Sequence, residues 1–365
     1  MKKILILTAY NPIEWSWIEK VMKEVGENIN SSWKYEVVYS FSWDWKIKKN
    51  GGIFYKSIKT PRVKWINLLI FSLKLPKFIK KESPDLIIDN MWLSFFYLLS
   101  WGKKKSKLIS VCHWTPRDFK YLAKFFHFEN LVNKILYYLA SRYWYITQSF
   151  CIKRSDYIVT LSNELKVRLV DKLRLPESII HIIYNWYDPK DIKIEEHNWI
   201  KILFISNDHA RKWIDILEKV ANNFIDNDNI KFYVIWKEYN SLQKNIISKW
   251  KMDRDELYGF MAESDIIFLP SYCEWQPLVI LEAMWYGCIP VISKECHMDM
   301  LYWTQFEKYI NEVNSVKGYI IAINDILNYN NRYHLREIAM KIAGNFTWDI
   351  QSNQYLLLID KILAN

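Results

Sequence analysis

The chain opens on an apolar run, KKILILTAYNP, that stops at an Asn-Pro turn signal, as a buried strand running into a loop does. Ile18, Val21, Met22 and Val25 then recur at helical spacing and predict a helix from Ile18 to about Asn30. YEVVYS reads as the next strand. After a loop holding Gly51 and Gly52, RVKWINLLIFSLKLPKFIKK joins an apolar stripe to flanking basic residues. PDLIIDN, KLISVCH and SDYIVTLS are short, mostly apolar runs with helical stretches between them, the pattern of buried parallel strands. Residues 185–199 break this rhythm, being polar, acidic and without apolar period, and read as a linker. The pattern then restarts. IKILFISN, IKFYVIWK, SDIIFLPS and CIPVISK predict the strands of a second sheet, separated by helices such as KWIDILEKVANNF and PLVILEAM. Strands alternating with helices imply an α/β protein of two doubly wound parallel-sheet, Rossmann-like domains. The boundaries read as 1–185 and 200–345, with a closing helix at 346–365 returning toward the first domain.

Length agrees, since 365 residues exceed one ordinary α/β core and suit two. No run approaches the ~20 apolar residues that span a bilayer. The opening run is too short for a signal peptide and lacks a small-residue cleavage site. The five cysteines are odd in number, scattered, and show neither C-x-x-C nor Cys/His ligand spacing. A reduced, cytoplasmic protein without a metal site is expected. Charge is uneven: residues 1–186 hold 31 Lys and Arg against 15 Asp and Glu, a balance of +16, and residues 187–365 hold 19 against 25, a balance of −6. The basic half calls for an anionic partner, either a membrane surface or a phosphorylated or acidic glycan. A generally basic proteome is the plain alternative.

Nineteen Trp and eight Gly reverse normal usage, in which glycine is about 7% of residues. Position matters more than number. Trp15 and Trp17 fall in the first strand-to-helix turn, Trp33 where a helix should end before a strand, and Trp186 after an Asn in a tight turn. Trp213, Trp236 and Trp275 extend the series. Left-handed backbone or close approach is usual at such places, and a bulky side chain is penalised there. The placement implies that many of these tryptophans stand for glycine, as when UGA codons read as glycine are translated as tryptophan. The rival is a Trp-rich protein anchored at a membrane interface, but such anchors would not seek out turns. Trp348, in FTWDI, lies in no turn and reads as authentic.

The chemistry concentrates in SDIIFLPSYCEWQPLVILEAMWYGCIPVIS, read as strand, loop, helix, turn and strand. Ligands of such sheets bind beyond the carboxyl ends of strands, where the loop Ser271–Gln276 falls. Pro277 suits a first helical turn. The N–H groups of Leu278 and Val279, with the helix dipole behind them, make a phosphate seat. A glycine at 275 would let a diphosphate approach that backbone, whereas an indole would crowd it. Glu274 precedes the helix and Glu282 lies inside it, so one carboxylate can address a sugar and the other ribose hydroxyls. Two glutamates eight apart are weak evidence taken alone.

In that context the segment resembles the family 4 glycosyltransferases, retaining nucleotide-sugar enzymes of the GT-B fold, whose E-x7-E element appears here as Glu274 and Glu282. HARKWID resembles the family's Lys-Gly after the first strand of the second domain, NPIEWSW its glycine-rich first loop, and VCHWT the His-Gly closing an N-domain strand. Reading Trp15, Trp17, Trp114, Trp213, Trp236, Trp275 and Trp285 as glycine improves each match. The resemblance implies two domains facing across a cleft. It implies that Lys212 neutralises the donor diphosphate with help from Arg211, and that Glu274 holds donor-sugar hydroxyls. Glu282 is then matched to the ribose, and His113 lies near donor sugar and acceptor. Trp275, Gln276, Leu278 and Val279 line the donor seat, with Trp15 and Trp17 in the first loop. One departure stands out: where the family commonly has Gly-Arg, this chain has Ser206 and Asn207, which leaves Arg211 to supply the second phosphate cation.

The implied reaction is attack of an acceptor hydroxyl on the anomeric carbon with retention, the departing phosphate helping to take the proton. No metal or cofactor is implied. The expected partners are a nucleotide sugar and a cell-surface glycan or lipid-linked acceptor; nucleic acid is not expected. Arg62–Lys81, with WGKKKSK at 101–107, would lay a basic, aromatic surface on anionic lipid and make the protein peripheral on the inner face of the membrane. An ordinary surface helix is the alternative. A GT-B epimerase or phosphorylase is the nearest enzymatic rival, and a non-catalytic binder of anionic surfaces or nucleic acid the rival of another class.

Overall fold

The computed structural model describes residues 1–10, 17–42, 48–61, 66–90, 92–100, 105–114, 131–187, 190, 192, 199–206, 211–236, 239–250, 252–328 and 332–364. They divide into two units, Met1–Tyr184 with Asp349–Asn365, and Asn185–Trp348.

In the first unit the chain runs β1 (Lys2–Leu7), α1 (Trp17–Ser31), β2 (Tyr35–Ser42), β3 (Lys48–Asn50), β4 (Ile53–Ile58), α2 (Ile66–Glu82) and β5 (Leu86–Asp89). It continues α3 (Phe95–Ser100), β6 (Lys107–Cys112), α4 (Leu131–Arg154), β7 (Tyr157–Thr160), α5 (Asn163–Leu173) and β8 (Ile180–Ile182). The sheet order is β3-β4-β2-β1-β5-β6-β7-β8. Every pairing is parallel except β3 with β4, and Ile4 sits between Val37 of β2 and Leu86 of β5. Ile4 to Leu7 are fully buried, which is why β1 is an unbroken apolar run and not an alternating one. Leu68, Phe71, Leu75 and Ile79 of α2, Tyr97 of α3, and Trp144, Cys151 and Ile152 of α4 share one core with Leu5, Leu7, Ile87 and Leu108.

The second unit runs β9 (Ile200–Ser206), α6 (Ile214–Asn222), β10 (Ile230–Trp236), β11 (Ile246–Lys249), α7 (Arg254–Ala262) and β12 (Ile266–Leu269). Then come α8 (Leu278–Trp285), β13 (Ile289–Ser293), β14 (Ile310–Asn311), α9 (Val316–Asn328), α10 (Arg332–Ala343) and α11 (Trp348–Ala364). Its six strands, in the order β11-β10-β9-β12-β13-β14, are all parallel. Asp265, buried before β12, accepts from the Lys201 amide at 3.0 Å and pairs with Arg336 of α10 at 3.4 Å. Helix α8 closes in a Schellman arrangement: Gly287 has φ 84°, its N–H reaches Met284 O, and Cys288 N–H reaches Ala283 O. Most of α11 belongs to the first unit. There Asp360 pairs with Lys34 at 2.6 Å and accepts from the Tyr35 hydroxyl. Burial and that carboxylate push the Tyr35 phenol up to about 12.

Several sequence readings change. Strands β3, β4, β8, β11 and β14 are not among those read from the sequence, and Trp17, expected in the first loop, opens α1. Eight non-glycine residues among those described have positive φ, and four are tryptophan: Trp33 (59°), Trp92 (55°), Trp213 (53°) and Trp303 (64°). Trp92 and Trp303 carried no turn signal in the sequence. Trp186, Trp275 and Trp285 are not left-handed. Trp186 lies in an irregular stretch with its ring 5.4 Å from Trp348, Trp236 ends β10, and Trp285 is the last residue of α8. In the loop before α8 the left-handed residue is Gln276, φ 48°.

Candidate functional site

Strand order reverses between β9 and β12 in the second unit, so the loops leaving their carboxyl ends flank a switch point, where open α/β sheets seat ligands. The loop after β9 delivers Arg211 and Lys212; Asn207 lies outside the described residues. The loop after β12 delivers Glu274. Arg211 Nη1 is 2.6 Å from Glu274 Oε1 and also donates to Cys273 O at 2.9 Å. Lys212 Nζ donates to Ile205 O at 3.0 Å and stands 3.8 Å from the same carboxylate oxygen. Main-chain bonds hold the two loops: Tyr272 N–H to Arg211 O, Glu274 N–H to Glu295 O and Gln276 N–H to Cys296 O, all 2.9 to 3.1 Å. Two largely buried cations thus converge on one carboxylate at the switch point, where a diphosphate would meet both.

Helix α8 starts one residue later than the sequence suggested. Pro277 is its N-cap, with φ −65° and ψ 124°, and offers no side-chain cap. The Ile280 N–H turns back to Pro277 O at 3.0 Å, while the amides of Leu278 and Val279 belong to the first turn, which has no intrahelical acceptors for them. Gln276 is fully buried and locked to Asn185: its Oε1 accepts from the Asn185 N–H at 2.6 Å and its carbonyl from Asn185 Nδ2 at 2.9 Å. This contact makes Gln276 a brace of the loop, and Asn185, which gave no signal in the sequence, its partner. The Trp275 indole is buried and stacks on His297 at 3.9 Å between centroids, 18° off parallel.

Glu282, one turn into α8, is engaged through Oε1. It accepts from Arg254 Nη2 at 3.1 Å and from the Tyr258 hydroxyl at 3.2 Å. Arg254 Nε in turn donates to Tyr258 Oη. Both partners stand on α7, which Asp253 and Glu256 start with a reciprocal capping box. Sequence reading missed them, although Arg254 and Tyr258 have the i, i+4 spacing that puts two side chains on one helical face.

His113 belongs to the first unit, directly after β6. It is buried, and its Nε2 is 2.7 Å from Oδ1 of Asn90, which follows the neighbouring strand β5. Asn90 was not a sequence candidate. Burial pushes the His113 imidazolium down from 6.5 to about 4, so the ring is neutral at physiological pH. Because the folded state has the lower pKa, the contribution to stability is complete above about 6.5 and is lost as pH falls toward 4. His113→Gln is therefore expected to remove up to about 3 kcal/mol of acid sensitivity between those limits, read by urea unfolding at stepped pH. Trp15 lies outside the described residues, and of Trp17 only the helical backbone is described.

Two parallel-sheet α/β units in one chain are the GT-B class of fold. Residues 29–191 match the family description Glycosyltransferase Family 4, and residues 197–341 match Glycosyl transferases group 1. Together these spans take in most of the chain, which belongs to the glycosyltransferases, with a family 4 domain in its first half. Among solved structures, it resembles sucrose-phosphate synthase from Thermosynechococcus elongatus, with TM-score 0.76, 14% identity and all of both chains covered. It also resembles the lipopolysaccharide outer core galactosyltransferase WaaB in its apo form, with TM-score 0.71, 15% identity and 100% and 99% covered. A third likeness is Anabaena Alr3699/HepE in complex with UDP and glucose, with TM-score 0.69, 12% identity and 99% and 100% covered. No curated protein matches in sequence.

Proposed function

We propose that the protein transfers a sugar, with retention of configuration, from a nucleoside-diphosphate donor to a hydroxyl of a cell-surface glycan or lipid-linked acceptor. The observation that carries this reading is the Arg211–Lys212–Glu274 cluster at the switch point, where the loop after β9 meets the loop that carries Glu274 into the uncapped start of α8. A diphosphate there takes the amides of Leu278 and Val279 and the ammonium of Lys212. The charge that builds on the departing phosphate is met by groups already in place. Glu274 turns to the donor sugar as the phosphates take over its cations. Glu282 offers Oε2 to the ribose while Arg254 and Tyr258 steady Oε1. Front-side attack, with the leaving phosphate accepting the acceptor proton, asks for no protein nucleophile. That separates the scheme from the paired carboxylates of hydrolases. The likeness to HepE, which is in complex with UDP and glucose, supports a donor of this class.

The test is a panel of nucleotide sugars assayed for nucleotide release, followed by the anomeric configuration of the product. Donor-dependent release and a retained anomer are expected; an inverted anomer overturns the mechanism. Arg254→Ala is expected to raise the donor KM about three- to tenfold with kcat nearly unchanged, as loss of a brace for uniform binding does.

We further propose that the native residues at 33, 92, 213 and 303 are glycines, and that 275 is one as well. Positive φ supports the first four. The likeness of its loop to the family element supports the fifth.

A further inference from the structure

Helices α2, α3 and α4 lie side by side on one face of the first sheet: Ser72 of α2 donates to Leu93 O just before α3, and Phe95 of α3 packs edge-on against Phe150 and Tyr143 of α4. Their inner sides fill the core already described. Their outer sides are not the polar surface such helices normally show to water. Leu73, Leu99, Tyr138, Leu139 and Ile146 are each more than half exposed, and Leu69 is exposed beside Leu73. On α4 the residues 138, 139, 142, 145 and 146 recur at three and four, so Arg142 sits inside one apolar and aromatic stripe. Exposed apolar side chains scattered singly need no explanation, but six of them on three helices that pack against one another and share one core do.

Charge says what covers this face. The three helices carry eight Lys and Arg (Lys74, Lys77, Lys80, Lys81, Lys134, Arg142, Lys153, Arg154) and a single acid, Glu82. Glu82 is buried and paired with Lys56 at 2.6 Å and Lys3 at 3.6 Å, so it does not oppose the exposed cations. A second copy of the chain would bring the same positive charge against itself. A bilayer with anionic headgroups meets both requirements, taking the leucines and tyrosine rings at its interface and the cations at its phosphates. No helix among the described residues is long and apolar enough to cross a membrane, so the contact lies on the surface.

We infer that the exposed face of the α2–α3–α4 layer is the surface on which the first unit lies against an anionic membrane, with α4 supplying most of the apolar contact and α2 and α4 four cations each. This extends the basic segment legible at 62–81 to a helix that gave no such signal, and it does not depend on the donor chemistry.

The test is flotation of the full chain with phosphatidylcholine vesicles, with and without phosphatidylglycerol, in low and moderate salt and without nucleotide. Wild type is expected to float with the anionic vesicles and to lose at least about tenfold in binding on neutral ones or in added salt. Leu139→Glu/Ile146→Glu is expected to lose at least about tenfold on anionic vesicles. Lys77→Glu/Lys81→Glu should fall similarly, and both double variants should unfold at the wild-type temperature because the changed side chains are exposed. Equal binding to neutral and anionic vesicles, or undiminished flotation of the Leu139/Ile146 variant, overturns the inference. So does a wild-type dimer that fails to float and that the same variant splits into monomers. Donor turnover in the Leu139/Ile146 variant with a water-soluble acceptor reads the catalytic proposal separately.

Discussion

Lys212→Ala is expected to cut donor turnover about 10²- to 10³-fold, the scale on which removal of one pre-set charge-stabilising group acts. The loss should fall mainly on kcat, because the ammonium gains most where the leaving diphosphate gains charge. A folding defect is not the expected cause. Glu274 keeps its contact with Arg211 at 2.6 Å when the lysine is gone, so no buried carboxylate is left uncompensated. Arg211→Ala is the converse case. It leaves Glu274 only the longer 3.8 Å contact with Lys212 and frees the bond to Cys273 O, so it should also loosen the loop. The check is nucleotide release by both variants beside their thermal unfolding. An unfolded Lys212→Ala, or one with near wild-type turnover, would take the lysine out of the mechanism.

Trp33→Gly and Trp303→Gly are expected to stabilise the protein, the reverse of what deletion of a large aromatic side chain does. Left-handed backbone costs an ordinary residue roughly 1–2 kcal/mol, and glycine gives back about 0.5–1 kcal/mol through the freedom of its unfolded chain. Each change should therefore gain up to about 1 kcal/mol. Little packing is lost, since Trp33 is 83% and Trp303 95% exposed. Their backbone bonds, Trp33 N–H to Asn30 O and Trp303 N–H to Glu307 Oε2, survive the substitution. Trp144→Gly is the contrast. That indole is buried in the first-unit core, 6.2 Å from the Trp92 ring, and its loss should cost about 3–5 kcal/mol or more. Urea unfolding separates the two behaviours. Peptide mass spectrometry of protein from its own source reads the residues directly. Tryptophan recovered at 33, 213 and 303 would end the glycine reading.

The two-domain α/β organisation was legible because buried parallel strands such as Ile4–Leu7 and Ile266–Leu269 are apolar on both faces, and no loop context is needed to see them. β3, β8, β11 and β14 were not, since two to four residues are too few to show a period, and β4, with Lys56 and Ser57 in its six residues, was passed over as well. In the candidate site, Glu274 and Glu282 were visible through their spacing around one helix start. Their partners were not. Arg254 reaches Glu282 across 28 residues and Asn185 reaches Gln276 across 91, and such pairs are made by the sheet's topology. The turn logic that exposed Trp33 and Trp213 failed at Trp275 for a related reason. Left-handed backbone was displaced one residue along to Gln276, whose side-chain Oε1 and main-chain carbonyl both accept from Asn185.

The most direct measurement is a structure of the protein, with glycine restored at 275, bound to the nucleoside diphosphate of whichever donor it turns over. The expected result places the phosphates within hydrogen-bonding reach of Lys212 Nζ and of the Leu278 and Val279 amides, with the ribose on Glu282. A diphosphate bound elsewhere, leaving Lys212 on Ile205 O and Glu274 still closed on Arg211, would contradict the assignment of this seat.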